Sequence, residues 1–498
     1  MKVVGGVGPS EGASRTQRGI SRAFPAKLPL IGATACLTLL ILSLVEGPAT
    51  PVLMPIAFVT TALLLFLLAL GREPTGSPAF FEIGFIYASV VALYAVYPLL
   101  GFVVNGLRYT ELNDGRLFVG DPTSTEMGRL GWMYSVHLVS FVAIYLVSRQ
   151  RARTEGPPSR HLGRLEALLL LLLVVGVELF FAMLGRLYEW AFISNVDRYV
   201  AFANLPRLTA QVAGHLDGIR LTAEIALLCF LFQRYAKYRF WIAGWIVLLA
   251  VRTVVQGQSR TELALVFFAS LIMFHRLVRP IRFRWLLLLS GSALAGFLLL
   301  GFLRIGVADR ERLSGVQRLF VANEFETLMA NAYDLDGRVR SGTLDPLPRG
   351  FFASDVLAIV PQQLSPWEKL SPANWYMRTM YPREAEAGMG FCFGTVSEAI
   401  VGGGWPALVA RGALLGLVLG LFQRIAASRQ RSFWWFLFTI WLSVLIYNSF
   451  RMTTFSILVL VWYRFLPVVV GVSAVAWLVR SVIGGRRGTR SLTPREKT

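Results

Sequence analysis

Charge is what this chain has least of. Only 16% of its 498 residues are charged, where a soluble protein of ordinary make-up carries about a quarter. With 55% hydrophobic residues and a mean hydropathy of +0.58, that shortage excludes a soluble enzyme on a simple anchor. Cysteine is nearly missing: Cys36, Cys229 and Cys392 are the whole supply, and two of them fall inside apolar stretches, so no disulfide framework is implied. The four histidines, His137, His161, His215 and His275, are scattered without metal-ligand spacing, so neither a metal nor any other cofactor is expected. Alternating segments of about ten residues, the mark of a membrane β-barrel, are absent as well. Lysine supplies only five of the 49 basic residues, and arginine the rest.

What is present is a series of apolar runs, each long enough to cross a bilayer, which takes about 17–25 helical residues. About twelve can be read: 28–45, 51–70, 79–104, 130–148, 165–185, 217–233, 240–257, 260–275, 285–303, 404–422, 433–449 and 454–479. The expected fold is an all-α polytopic membrane protein. Between the runs, arginine piles up in every second loop. One side receives Arg15, Arg18 and Arg22, then Arg149, Arg151 and Arg153, then Arg234 and Arg239, then Arg276, Arg279 and Arg282, then Arg424 and Arg429, and lastly Arg486, Arg487 and Arg490. Basic loops face the cytoplasm, so both termini are expected there. The net charge of +20 is thereby explained by topology and anionic lipid, and nucleic acid is not an expected partner.

The organisation that follows has a disordered cytoplasmic tail over 1–27 and helices one to nine over 28–303, with an outer loop three at 186–216. A large outer loop five over 304–394 comes next, then helices ten to twelve over 395–480, and a basic cytoplasmic tail over 481–498. The N-terminal stretch does not read as a cleaved signal, because further spans follow the first apolar run closely. Loop five is about 90 residues long, too long for a plain connector. Its first half spaces apolar residues as a helix does, and its second half is rich in Pro, Trp and Tyr. It is expected to fold down over the outer mouth of the bundle.

Charged groups inside spans are costly and face a partner or a cavity. Arg220 and Glu224 share one helix face, Arg252 lies a turn from the outer end of its span, and Arg260 and Glu262 open the next. Arg304 closes span nine, Arg411 and Arg464 lie within later spans, and Arg451 sits in the last outer turn. Simple pairing with Glu178, Glu224, Glu262 and Glu398 explains any one of these arginines. As a set they outnumber the acids, and the surplus suits an anion at the depth of a lipid pyrophosphate, which a guanidinium grips as a fork. Trp375, Tyr376 and Tyr381, with Trp367, Tyr188 and Trp190, are rings suited to stacking on sugar, although an interfacial aromatic belt explains them equally. A glycosyl transfer would need a base. Glu262, Glu224 and Glu398 are the candidates, with Asp355 and His215 behind them, and the residues alone do not rank them.

The segment from Asn374 to Arg424 carries Gly390 to Gly394, then Glu398–Ala399, then Gly402 to Gly404, then Gly412, Gly416 and Gly420. It resembles the C-terminal part of the Wzy-type O-antigen polymerases, also called oligosaccharide repeat unit polymerases. The turn Gly257 to Glu262 and the two long outer loops resemble that family too. Arg207…Gly218 and Arg383…Gly394 fit an Arg, ten residues, Gly spacing found in some members, though Arg304…Gly315 has it as well. The resemblance spans roughly 165–450. It implies a GT-C-like, metal-independent glycosyltransferase of the bacterial inner membrane. Such an enzyme moves a growing glycan from undecaprenyl pyrophosphate onto a lipid-linked repeat unit at the periplasmic face. Arginines such as Arg207, Arg220, Arg252, Arg260, Arg304, Arg383 and Arg451 would grip the pyrophosphates. A chain-length regulator and a flippase are the implied protein partners. The related ligases place a histidine in the large outer loop, and loop five has none. A ligase or other lipid-sugar transferase, and a lipid-linked glycan flippase, stay as alternatives.

Overall fold

The computed structural model describes residues 47–71, 79–108, 122–149, 162–187, 205–255, 260–282, 324–345, 372–382, 392–429 and 432–488, with a few single positions between them. All regular structure among these residues is helical, and no strand occurs among them. Seven stretches are long and apolar enough to cross a membrane. In chain order the first four are α1 (Thr50–Leu70), α2 (Ile83–Val104), α3 (Ser124–Ser148) and α4 (Arg164–Leu187). The others are Trp405–Ala426, Phe433–Arg451 and Ser456–Val482. The expected span 28–45 lies outside the described residues, as does most of 285–303. Three more expected spans are helices that fall short in length or apolar character. These are α5 (Arg207–Phe232), α6 (Tyr235–Val255) and α7 (Arg260–Met273), the last running into a π-helical turn at Phe274–Val278.

Helix starts differ from the apolar runs where polar residues begin the helix. α3 starts at Ser124 because Thr123 and Glu126 form a capping box: the Thr123 hydroxyl accepts from the Glu126 amide at 3.3 Å, and Glu126 accepts from the Thr123 amide at 3.0 Å. α5 starts ten residues before the expected span and takes over the end of loop three.

The remaining elements are α8 (Glu324–Ser341), α9 (Pro372–Met380), α10 (Thr395–Val401), α11 (Trp405–Arg429), α12 (Phe433–Leu445), α13 (Asn448–Arg451), α14 (Ser456–Leu460) and α15 (Leu466–Gly488), with a π-helical turn at Val461–Phe465 between the last two. α3 is the organising helix. α1 runs parallel to it, with Gly128 against Pro51 and Gly131 against Pro55. α11 also runs parallel to it, with Gly412 against His137 and Gly420 against Ser148. α2 runs antiparallel, since Gly84 meets Tyr145 while Leu99 meets Gly131.

One end of this bundle gathers the segments next to the arginine-rich loops. Arg149 Nη1 holds both oxygens of Glu82, at 2.8 and 3.0 Å, and Nη2 caps the Leu70 carbonyl of α1 at 2.9 Å. The Tyr145 hydroxyl donates to the same carboxylate at 2.8 Å. Arg276 reaches the Phe81 carbonyl at 3.1 Å, and the His275 ring packs against Phe81 at a tilt of 53°. Arg149 thus ties three helix ends with one guanidinium, a task that lysine's point charge cannot do. Arg149→Lys is expected to lower stability by about 1–3 kcal/mol, read as a lower thermal midpoint in detergent. An unchanged midpoint would show that the staple is dispensable.

The opposite end is covered by loop-five helices. α8 buries Phe325, Leu328, Met329, Ala332 and Leu335, a helical stripe, against α2, α3 and α10. At its edge, buried Asp336 pairs with the more exposed Arg129 at 3.2 Å and Arg340 at 2.9 Å, and buried Asp334 pairs with Arg338 at 2.8 Å.

Candidate functional site

The hairpin of α12 and α14 turns over at Ile446–Phe455, and this turn is sunk into the bundle. Phe450 at its tip lies 5.5 Å from Tyr94, 5.7 Å from Tyr134 and 6.0 Å from His137, ring centre to ring centre. Those residues are at mid-length of α2 and α3. The expected last outer turn is therefore recessed, and the described end of the large loop, Cys392–Gly394, reaches into the recess. The cause is a backbone requirement. Non-helical backbone at membrane depth needs protein partners for its polar groups.

α10 supplies those partners. The Gly394 amide donates to the Met452 carbonyl at 3.0 Å, and the Thr395 hydroxyl to the Ser449 carbonyl at 2.6 Å. Glu398 Oε2 accepts from both the amide and the hydroxyl of Thr454, at 3.0 and 2.9 Å. Glu398 Oε1 meets Arg411 of α11 at 2.6 Å, and Arg411 donates to the Thr454 hydroxyl at 3.0 Å. All three side chains are buried, Glu398 at 1% exposure and Arg411 at 4%. Two glycines make this possible. Gly394 has φ +88°, and a Cβ there would stand 3.0 Å from Leu328; Gly404 has φ +67° in the reversal from α10 to α11.

Beside the lock, Arg451 at the end of α13 directs Nε to the Cys392 sulfur at 2.8 Å. The Cys392 carbonyl accepts from Asn331 of α8 at 2.5 Å, and Asn331 accepts from the Tyr376 hydroxyl at 3.0 Å. Burial, and then the neighbouring Tyr381, push the Tyr376 hydroxyl well above the usual phenol range, so it stays a proton donor to Asn331. Below the lock, the Tyr87 hydroxyl and His137 Nε2 share a hydrogen bond of 2.8 Å with both residues fully buried.

A second charged cluster stands on α5. Arg220 is buried between Glu178 of α4 at 2.8 Å and Asp217 at 2.9 Å, with Glu224 one turn on and also buried. Arg464, in the π-helical turn of the last span, lies against Gly218. Next to it Tyr463 stacks on His215 at 5.3 Å and donates to the Ile359 carbonyl of loop five at 3.0 Å. π turns often mark functional positions.

The expected site residues therefore divide. Glu398, Arg411, Arg451, Trp375, Tyr376 and Tyr381 come together around the sunken turn. Arg220, Glu224, His215 and Arg464 belong to the α5 cluster. Two of the expected roles are altered by burial. Glu398 is enclosed, with Oε2 hydrogen-bonded to Thr454 and Oε1 in ion-pair contact with Arg411, so in this arrangement it is not placed to take a proton from a substrate. Tyr376 is fully buried against Phe393 and Tyr381, and it supports the site's wall where a sugar-stacking face was expected. Trp375 and Tyr381 keep partial exposure. Arg304, Arg383, Asp355, Trp367, Tyr188 and Trp190 lie outside the described residues, as do the side chains of Arg207, Arg252, Arg260 and Glu262. Thr454, Asn331, Cys392, Tyr87 and His137 had no signal in the sequence, because each is defined by a partner far away in the chain. Among the described residues no group of His, Cys, Asp and Glu is arranged to hold a metal ion.

No protein-family model, curated protein or solved structure matches this chain. What the fold establishes is the class: a helical protein with seven stretches fit to cross a membrane.

Proposed function

We propose that the chain is a polysaccharide repeat-unit polymerase, a twelve-span, GT-C-like glycosyltransferase of the bacterial inner membrane with both termini in the cytoplasm. In this reading it transfers a growing glycan from undecaprenyl pyrophosphate to a lipid-linked repeat unit at the periplasmic face. Partner proteins would be a chain-length regulator and a flippase. The observation that carries the reading is Arg451. It is a partly exposed residue in the sunken turn at mid-length of α3, with its guanidinium beside Cys392 and a buried ion-pair lock three residues along the chain. A lipid-linked donor keeps its acyl chain in the bilayer and presents its pyrophosphate near that depth.

In the proposed transfer, the bond from the donor sugar's anomeric carbon to the pyrophosphate oxygen breaks, and its electron pair leaves with the pyrophosphate. Guanidinium groups stabilise that growing charge. The acceptor hydroxyl forms the new bond to the anomeric carbon and gives its proton to a carboxylate. With Glu398 engaged by Thr454 and Arg411, and Glu224 buried as well, Glu262 and Asp355 are the remaining carboxylates for that role.

The test is polymerisation in membranes supplied with lipid pyrophosphate-linked repeat units. Wild type should give a ladder of products. Arg451→Gln should reduce chain extension by about 100-fold, the scale of losing one charge-stabilising donor, and leave single repeats at normal protein levels. Arg260→Ala and Arg383→Ala belong in the same assay. If wild type gives no ladder but carries the lipid-linked glycan across the bilayer, the polymerase reading fails and a flippase takes its place.

A further inference from the structure

We infer that Glu398, Arg411 and Thr454 act as positioning residues, a lock that fixes the sunken turn and thereby sets Arg451 at Cys392. The inference rests on the proposed function only for what Arg451 finally meets, a phosphate-bearing donor. The geometry of the lock stands apart from it.

The turn Ile446–Phe455 has orphan polar groups at both sides, because one helix ends there and the next begins. Its carbonyls at Ser449 and Met452 take donors from α10, at Thr395 and Gly394. Its amide at Thr454, just before α14, takes the Glu398 carboxylate, a favourable place for negative charge near the start of a helix. The Thr454 hydroxyl is the hub. It donates to Glu398 and accepts from Arg411, so α10, α11 and the turn meet on one oxygen. Arg451 is three residues from that hub. Its backbone is held on either side, because the Ser449 and Met452 carbonyls accept from Thr395 and Gly394. A catalytic carboxylate would need an open face, and Glu398 has none.

Cys392 is a gauge for this arrangement. It is partly exposed, whereas Cys229 is buried. A guanidinium beside the sulfur raises the local concentration of anionic reagents and repels cationic ones. The ratio of mixed-disulfide formation rates for a sulfonate-bearing and an ammonium-bearing methanethiosulfonate of similar size, each step releasing methanesulfinate, therefore reads the charge at Cys392. A general change in access moves both rates together and largely cancels. The rates are measured on the full-length protein in detergent, at the Cys392 peptide by mass spectrometry.

Arg451→Gln is expected to lower the ratio by about tenfold. Thr454→Val, which keeps the shape and removes the hydroxyl, should lower it to the same level, and Thr454→Ser should restore it. Glu398→Gln cuts the lock from its other side and gives the same reading where Thr454→Val does not yield folded protein. A wild-type ratio in Thr454→Val or Glu398→Gln, with Arg451→Gln lowered, overturns the positioning role. A wild-type ratio in Arg451→Gln overturns the contact itself. None of these readings needs a glycan substrate, so failure of the polymerase reading would leave them standing.

Discussion

Glu398→Ala is expected to destabilise the bundle by about 3–5 kcal/mol, the usual cost of removing one partner from a buried ion pair. The loss has two parts. Arg411, at 4% exposure, would keep a buried charge with its 2.6 Å partner gone. The Thr454 amide and hydroxyl would lose their acceptor, and each unsatisfied buried group carries its own desolvation penalty. Pairing the change with Arg411→Met separates the parts. The double variant Glu398→Leu, Arg411→Met should recover most of the loss, because a buried pair is worth little more than packed apolar side chains of similar volume. It should not recover all of it, since the Thr454 amide still lacks an acceptor. Thermal unfolding in detergent for wild type, Glu398→Ala, Glu398→Leu, Arg411→Met and the double variant gives the order directly. A double variant no better than Glu398→Ala would mean that the carboxylate matters through Thr454 alone.

The sequence shows helices long and apolar enough to cross a bilayer because length and apolar composition are local properties. The expected runs 51–70 and 165–185 match Thr50–Leu70 and Arg164–Leu187 within a few residues. Helix starts made of polar residues are hidden from such counting. Ser124 begins α3 through a cap, and Arg207 begins α5 among Thr, Gln and Asp. The site was legible in kind but not in arrangement. Its arginines, Glu398 and the aromatic residues after Pro372 stand out by being unusual for membrane depth. Hydropathy says how long a helix is and nothing about how high it sits. It therefore gave no sign that the last hairpin stops at mid-length of α3, with Cys392–Gly394 of loop five against it. That vertical offset turns Glu398 from a candidate base into a buried capping group. It also brings Cys392 of loop five to Arg451, a contact across 59 positions of chain.

Gly416→Leu is expected to prevent a stable bundle, and the reason lies in the same offset. α11 descends along α3 with Gly412, Gly416 and Gly420 spaced four apart, the small-residue stripe that lets membrane helices approach closely. A Cβ on Gly416 would stand 2.5 Å from the Phe141 carbonyl oxygen and 3.1 Å from the Tyr145 amide nitrogen. Those are backbone atoms of a packed helix, so no rotamer change makes room, and the helices must separate. Even Gly416→Ala should cost about 1–3 kcal/mol, the scale of overpacking. Leu adds three more carbons to the same clash. Separation would carry Arg411 away from Glu398, because Arg411 stands beside Gly412 on the displaced helix. The proper control is Gly176→Leu on α4, where an added Cβ meets nothing within 4 Å. It should purify as wild type does, while Gly416→Leu loses its monodisperse peak on size exclusion in detergent. If both variants behave alike, close contact along the glycine stripe is not what holds α11 on α3, and the height of Arg411 must be set from above, by α10 and its lock.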